Sequence, residues 1–116
     1  MAASPEECRQ ALTTFSENLG KATGNARAAA QLDRSLSCWV TDLDLSFTGR
    51  LHDGRIDDLK ETQGRPPHKA QIRLTLTGDD LVALVNGRLN FAAAWASGRV
   101  KLEASILDLL KLRSLL

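Results

Sequence analysis

The sequence predicts a two-layer α+β domain, in which about five mainly antiparallel strands carry helices on one face. Its strand-like segments alternate apolar with polar side chains, which is typical of a sheet with one covered face and one wet face. Its other segments have the apolar period of amphipathic helices, and these are the elements that could cover such a sheet. The 116 residues show no internal repeat and no boundary, so we expect one domain over residues 1–116.

The first predicted helix begins at Ser4 and carries a single apolar stripe. Ser4 is a capping residue and Pro5 suits the first helical position, while acidic residues follow at the positive end of the helix dipole. We expect this helix to end near Gly24, before an alanine-rich segment. Spacings of three and four place one set of apolar residues on the same face. These residues are Cys8, Leu12, Phe15, Leu19 and Ala22.

Three strands follow, because the apolar period changes to two from Ser35 onward. The first of them places Leu36, Cys38 and Val40 on one face. An Asp-Gly turn at 53–54 then predicts a hairpin, with a third strand from near Arg55, so the three strands form an antiparallel meander.

The second strand is the clearest in the chain and has two distinct faces. Its apolar face carries Leu43, Leu45, Phe47 and Leu51, and its polar face carries Asp42, Asp44, Ser46, Thr48 and Arg50.

The second half of the sequence alternates strands with helices. Two prolines and a glycine predict a loop over 62–70. A helix start at Gly78 and an ending at Asn86 and Gly87 bound the next helix. The elements expected after the loop are a strand over 70–77, a helix over 78–87, a short helix over 90–98, a strand over 100–104 and a terminal helix over 106–116.

The composition disfavours several classes of partner. A formal net charge of +1 creates no strong field for nucleic acid or an anionic membrane, so we expect no nucleic-acid partner. The polar, acidic N-terminus is unlike a signal peptide, and no apolar run approaches the ~20 residues of a membrane span. We therefore expect a cytoplasmic protein without stable membrane insertion.

No residue pattern indicates catalysis or metal binding. The sequence lacks a phosphate-binding glycine loop, a GxSxG elbow and an HExxH motif, and both histidines fall in predicted loops. Asp42 and Asp44 share a strand face, but nothing apolar surrounds them to shift a pKa toward acid-base work. Cys8 and Cys38 lie in separate elements and are expected to be reduced thiols. We therefore expect neither an enzyme nor a protein with a metal or another cofactor.

Two features near the C-terminus leave alternatives open. The terminal helix carries leucine and isoleucine around nearly its whole circumference, interrupted by residues such as Asp108 and Lys111. It could be a well-buried helix, a lid over an apolar ligand site, or a surface for self-association. The short helix before it places Phe91 and Trp95 among alanines. Those two rings either pack in the core or line a cavity beside a helix of little bulk.

From about residue 70 onward, the motifs resemble one known family. An alternating strand and an acidic helix start precede the motif Leu-x-x-Leu-x-x-Gly, and a leucine-rich helix ends the chain. The matching positions are Leu81, Leu84 and Gly87, then Ala94 and Gly98, then Val100 and Leu102. This pattern is similar to that of the sterol carrier protein 2 (SCP-2) family of lipid-transfer domains. Ala104 stands where the family often has glycine, and the first half of the chain matches by element order alone.

The resemblance implies a stand-alone, bacterial-type carrier with a hydrophobic tunnel between sheet and helices. The tunnel would hold a fatty acid, a fatty acyl-CoA, a sterol or a similar lipid, with the terminal helix as its gate and no metal or redox cofactor. The side chains expected to line it are Leu81, Val85, Phe91, Trp95, Val100, Leu102, Leu109 and Leu110. The alternative is a structural or interaction module, in which side chains fill the pocket and the C-terminus docks to a second copy or another partner.

Overall fold

The computed structural model describes residues 3–20, 33–52 and 54–112. The helices within these residues are α1 Pro5–Gly20, α2 Gly78–Val85, α3 Phe91–Ala96 and α4 Ile106–Leu112. The strands are β1 Arg34–Val40, β2 Leu45–His52, β3 Arg55–Gln63, β4 Ile72–Leu76 and β5 Lys101–Glu103. The strands form one mixed, mostly antiparallel sheet in the order β3-β2-β1-β4-β5, which confirms the predicted fold class.

Helix α1 begins with the predicted cap. The backbone N–H of Glu7 donates to Ser4 Oγ at 3.1 Å, and the backbone N–H of Ser4 donates to Glu7 Oε1 at 3.1 Å. This reciprocal pair is a capping box, and it satisfies N–H groups that the first turn leaves without helical partners. Cys8 and Leu12 are buried, as the apolar stripe predicts. The predictions for the side chain of Leu19 and for residues 21–31 lie outside what the structure describes.

The predicted meander is confirmed, since β1 pairs with β2 and β2 with β3, both antiparallel. The prediction that Asp42 and Asp44 extend the second strand is wrong. Residues Thr41–Leu43 form a 3-10 turn, and Asp44 has a φ of 50°. The chain must reverse its direction between β1 and β2, and aspartate tolerates the left-handed conformation that closes this turn. The apolar-polar alternation therefore continues across a turn, where it no longer marks the faces of a strand.

The hairpin between β2 and β3 contains a bulge beside Gly49. The register shifts between Thr48 and Arg50, and a Cβ on Gly49 would approach the backbone O of Asp57 and the Cγ2 of Ile56 to 2.9 Å. Only glycine leaves room for β3 to approach so closely. Strand β3 begins at Arg55 as predicted but continues to Gln63, into the expected loop. Asp53 of the predicted turn lies outside the described residues.

The two halves of the chain meet where β1 and β4 pair in parallel at the centre of the sheet. Leu36 lies beside Ile72, and Cys38 beside Leu74. Side chains alternate along each strand, so this register places the apolar residues of both strands on the same face. Strand β5 then adds an antiparallel edge strand next to β4, and its Leu102 lies opposite Leu74. It is shorter than the predicted strand over 100–104.

The polar face of the sheet is less wet than predicted. Ser46 is completely buried, and its hydroxyl donates to the backbone O of Gly64 in the loop after β3. Ser37 is also buried, at 3% exposure. Small hydroxyl side chains can be buried without a large cost when they find a hydrogen-bond partner, as that of Ser46 does.

Helices α2 and α3 are short, and both begin with the residue types that favour helix starts. Thr77 Oγ1 accepts from the backbone N–H of Asp80, and Asn90 Oδ1 accepts from the backbone N–H of Ala93. At the start of α2, the backbone N–H of Gly78 donates to Asp42 Oδ1. A Cβ on Gly78 would lie 3.1 Å from Cys8 Sγ, so the glycine allows α1 and α2 to pack closely. Asn90 thus caps the start of the short helix that the sequence predicts over 90–98.

Helix α4 buries its acidic residue and exposes three of its apolar ones. The side chain of Asp108 is 6% exposed, and its Oδ2 lies 3.0 Å from the Nε of Arg34 at the start of β1. Leu109 is half-buried and packs against the core. On the opposite face, Ile106, Leu107 and Leu110 are 77%, 72% and 60% exposed. An ion pair therefore fixes the orientation of this helix, and the hydrophobic effect alone does not account for it.

Two cysteines in the core stay protonated at neutral pH. Cys8 is fully buried and Cys38 is 2% exposed, and both are free thiols. Burial raises the pKa of Cys38 to about 12. Burial, with a smaller contribution from the charge of Asp42, raises the pKa of Cys8 to about 11. The neutral thiols behave as small apolar side chains, and their free state agrees with the prediction that they are reduced.

The ion pair of α4 gives a first testable prediction. Arg34→Leu should lower the free energy of unfolding by about 1–3 kcal/mol, because it leaves the buried carboxylate of Asp108 without its partner. The double variant Arg34→Leu/Asp108→Leu should recover part of that loss. Chemical denaturation of the wild type, both single variants and the double variant measures the coupling. Equal stability of Arg34→Leu and the double variant would contradict the role given to this pair.

The thiols give a prediction about alkaline pH. Above the ordinary thiol pKa of 9.0, unfolded cysteines lose protons that the native thiols retain up to their raised values of about 11 and 12. The free energy of unfolding should therefore fall as pH rises above 9.0, by up to about 1.4 kcal/mol per pH unit for each thiol. Urea denaturation on either side of this pH measures the slope. The variant Cys8→Ala/Cys38→Ala should have a flatter slope, and an unchanged slope would refute the assignment of this pH dependence to the thiols.

Candidate functional site

A cavity of about 570 Å³ lies between the inner face of the sheet and the helices. Its volume falls within the ~300–1,000 Å³ that is typical of small-molecule sites. Its wall is mainly apolar, and Arg88 is the one residue with a formal charge on it in the described part of the chain. The wall is formed by Leu12, Phe15, Leu36, Cys38, Leu51, Ile72, Leu74, Leu81, Leu84, Val85, Gly87, Arg88, Leu89, Asn90, Phe91 and Leu102.

The sheet supplies one side of the cavity through strand alternation. Leu36 and Cys38 of β1 face the same way as Ile72 and Leu74 of β4, because the parallel register pairs them directly. Leu102 of β5 extends this apolar surface toward the edge of the sheet. A shift of one residue in the β1–β4 register would turn one strand's apolar set to the opposite face. The register is therefore what defines this side of the cavity.

The helices supply the opposite side through helical spacing. Leu12 and Phe15 of α1 are three residues apart, and Leu84 and Val85 of α2 follow Leu81 by three and four residues. Each set therefore lies on one face of its helix. Leu81 is buried whereas Leu84 and Val85 are half-buried, so α2 packs on the core at its start and leaves space toward its end.

The cavity reaches the surface at the loop between α2 and α3. Gly87 has a φ of 75°, and the next two backbone N–H groups, of Arg88 and Leu89, donate to the carbonyl of Ala83 at 2.8 and 3.2 Å. These bonds end α2 with the glycine-centred closure that the sequence predicts. Gly87, Arg88 and Asn90 are exposed and Leu89 is half-buried. This loop therefore forms the mouth of the cavity, and its backbone is fixed at both ends.

The structure places four of the eight expected lining residues on the cavity wall: Leu81, Val85, Phe91 and Leu102. Phe91 is the largest of them and is 7% exposed. Its ring stacks on that of Trp95 with the centroids 5.9 Å apart. Trp95 itself is 44% exposed and lies outside the cavity wall.

The other three expected residues also lie away from the wall. Val100 is fully buried in the core, Leu109 packs against the core from α4, and Leu110 is 60% exposed. The described residues of α4 contribute nothing to the cavity wall. Whether any of the eight residues contacts a ligand stays a prediction.

The eight expected lining residues all belong to the second half of the chain, although the first half supplies five residues of the cavity wall. Leu12, Phe15, Leu36, Cys38 and Leu51 belong to the apolar faces that the periodicity identifies. The apolar periodicity therefore marked these residues. Periodicity shows that a residue faces inward, but it does not distinguish a side chain that fills the core from one that borders a cavity.

Neither a metal site nor a membrane span is found in the described residues. No group of three or more His, Cys, Asp or Glu side chains there is arranged to hold a metal ion. None of the described helices has the length and apolar character needed to cross a bilayer.

Several solved structures share this fold. The sterol carrier protein domain 2 of Helicoverpa armigera is 18% identical, with a TM-score of 0.70 over 99% of this chain and 91% of that one. The ubiquinone synthesis protein UbiJ-SCP2 is 16% identical, with a TM-score of 0.64 over 96% of this chain and 93% of that one.

A sec-alkyl sulfatase, PisA1, contains a similar unit within a much longer chain. It is 25% identical, with a TM-score of 0.56 over 78% of this chain, yet the match spans only 14% of the sulfatase.

No curated protein matches the chain at a significant level. The sequence model of the SCP-2 sterol transfer family matches residues 12–116. The cavity between sheet and helices is thus found in a chain that belongs to the SCP-2 sterol transfer family.

Proposed function

We propose that this protein binds and carries a hydrophobic ligand, such as a fatty acid, a fatty acyl-CoA or a sterol, without chemically changing it. The observation that carries the proposal is the cavity of about 570 Å³ with its mainly apolar wall and its opening at the α2–α3 loop. We further propose that the unit is a single cytoplasmic domain over residues 1–116 that needs no cofactor.

The energetics of the cavity favour an occupant. An empty, dry cavity of 570 Å³ would cost about 14 kcal/mol at about 24 cal/mol per Å³. That is as large as the whole stability of a small domain, about 5–15 kcal/mol. Water entering at the mouth relieves part of this cost but cannot bond to the leucine-rich wall. An alkyl chain that replaces this water gains about 0.8 kcal/mol for each buried methylene.

The names of the similar proteins support the same class of ligand. They refer to sterol carriers, to a sec-alkyl sulfatase and to ubiquinone synthesis. The family model likewise refers to sterol transfer. These names agree on hydrocarbon-rich molecules and differ in the chemistry of the polar end, so they support a hydrophobic ligand without selecting one.

The role of the C-terminal helix as a gate is part of the proposal. The Arg34–Asp108 pair holds α4 at the start of β1, and a short connection at 104–105 joins the helix to β5, whose Leu102 lines the cavity. A movement of α4 would therefore be transmitted to one wall. Faster release of a preloaded ligand from Arg34→Leu than from the wild type would support this role.

Ligand binding should raise the melting temperature of delipidated protein in a concentration-dependent way, because a ligand that binds the folded state stabilises it by mass action. Leu84→Trp should reduce or abolish this increase, since the larger side chain enters the cavity from α2. Ala92→Trp is the matched control, because Ala92 is exposed on α3 and lies outside the cavity wall. Differential scanning fluorimetry with fatty acids, acyl-CoAs and sterols measures both effects.

Two outcomes would contradict the carrier function. One is a melting temperature that no ligand of these three classes changes. The other is an equal loss of the shift in Leu84→Trp and Ala92→Trp, which would place binding outside the cavity. Native mass spectrometry of the purified protein, followed by lipid extraction, identifies any molecule that remains bound.

The exposed face of α4 favours a second candidate, an interaction module. Ile106, Leu107 and Leu110 lie on one side of the helix and are all more than half exposed. A contiguous apolar surface of this kind is typical of protein contacts. In this alternative, the C-terminal helix docks to a second copy of the chain or to another protein, and the cavity has no ligand.

A triple variant, Ile106→Ser/Leu107→Ser/Leu110→Ser, separates the two candidates. If the chain self-associates through α4, the variant should be monomeric in multi-angle light scattering while the wild type is dimeric. A carrier should keep both its oligomeric state and its ligand-dependent melting shift, because these side chains lie outside the cavity wall. The three substitutions should change the stability little, since the side chains are largely exposed.

A further inference from the structure

The arginines of this protein divide into paired and unpaired residues. Eight of them lie in the described part of the chain, and six of these have a carboxylate within 4.0 Å. The paired residues are Arg9, Arg34, Arg50, Arg55, Arg73 and Arg99. Arg65 and Arg88 are the two that have no side-chain partner among the described residues. Most of the described arginines are thus already neutralised locally.

Of the two unpaired arginines, only Arg88 lies on the cavity wall. It is exposed in the loop that forms the mouth, and its backbone is held by the hydrogen bond to Ala83. Leu89 beside it faces the cavity, and Phe91 is buried against the wall. A long arginine side chain can lay its methylenes along such apolar residues and keep its guanidinium in water. A positive charge therefore stands where the apolar cavity opens to solvent.

We propose that Arg88 binds the anionic head group of a single-chain amphiphile whose alkyl chain lies in the cavity. The protein then selects ligands with a carboxylate, phosphate or sulfate at one end over neutral ligands of the same chain length. This inference rests on the proposed function and names the class of ligand for the same site. Arg88 is a specificity-determining residue in this scheme, and burial of the alkyl chain supplies most of the affinity.

The composition of the mouth explains why the preference is for a negative charge. The guanidinium presents several N–H donors in a planar fork that matches the oxygens of a carboxylate, phosphate or sulfate. Asn90, the other polar side chain on the wall, already uses its Oδ1 to cap α3, so its free amide N–H groups add donors. No aspartate or glutamate lines the cavity to compete for Arg88 in the described structure. Neutral alcohols and sterols gain little from this arrangement.

The test compares chain-matched ligands: decanoate, decyl phosphate, decyl sulfate and decanol, each below its micelle concentration. Isothermal titration calorimetry at neutral pH gives the ratio of the affinity for each anion to the affinity for decanol. Arg88→Gln should lower this ratio about fivefold for the preferred anion, the size expected for one largely exposed ion pair. The affinity for decanol should stay within about twofold of the wild-type value. The anion with the highest ratio identifies the head group.

Two matched variants control for overall charge and for folding. Arg65→Gln removes the same charge from another exposed and unpaired arginine, one that does not line the cavity, so it should leave every ratio unchanged. Arg88→Glu should repel the anions further and improve the binding of decylamine, whose head group is positive. In the wild type, raising the ionic strength from about 0.01 M to 1 M should weaken anion binding selectively, since the Debye length falls from about 30 Å to 3 Å.

The outcomes for the two proposals are distinguishable. If decanol and the anions bind the wild type and Arg88→Gln leaves their ratio unchanged, the role of Arg88 is overturned and the carrier function stands. If none of the ligands binds, the carrier function fails for alkyl chains and the role of Arg88 fails with it. An equal effect of Arg65→Gln and Arg88→Gln would also overturn the inference, because it would show a general effect of charge.

Discussion

The parallel pairing of β1 with β4 is the constraint on which the rest of the structure depends. It joins the N-terminal meander to the C-terminal half and sets Leu36 beside Ile72 and Cys38 beside Leu74. All four side chains border the cavity, so the same register that closes the sheet also forms one side of the site. A parallel pair needs a long connection between its strands, and here that connection is the meander itself. The position of the cavity thus follows from the topology.

The cavity exists because the elements opposite this sheet are too small to fill the space. Helix α2 has eight residues and α3 has six, four of which are alanine. Gly78 allows the start of α2 to approach Cys8 closely, and Leu81 is buried there, whereas Leu84 and Val85 are only half-buried. The helix is therefore tightly packed at one end and borders open space at the other. A longer helix with larger side chains would convert the same architecture into a solid core.

Periodicity predicted the elements and their apolar faces because these depend on neighbours in the sequence. Periodicity failed to predict the burial of side chains whose environment is set by residues distant in the sequence. Phe91 and Trp95 lie one turn apart in the same helix, yet one is 7% and the other 44% exposed, since the tilt of α3 against its neighbours determines which ring turns inward. The leucines of the terminal helix suggested burial or a lid, but the partner of Asp108 is Arg34, 74 residues away, and this pair turns three apolar side chains outward. Such a pairing has no local signature.

The same limit explains why the site's charge was invisible in the composition. A net charge of +1 indicates no affinity for anions, but the net charge is a sum over the whole chain. Ion pairs, however, neutralise six of the eight described arginines, whereas Arg88 on the wall of the apolar cavity has no such pair among the described residues. A single unpaired charge beside an apolar wall acts on a ligand at close range, where the Coulomb attraction is largest. Selectivity for a head group therefore requires only that one arginine lack a partner inside the protein, and a near-neutral sequence meets this condition as readily as a basic one.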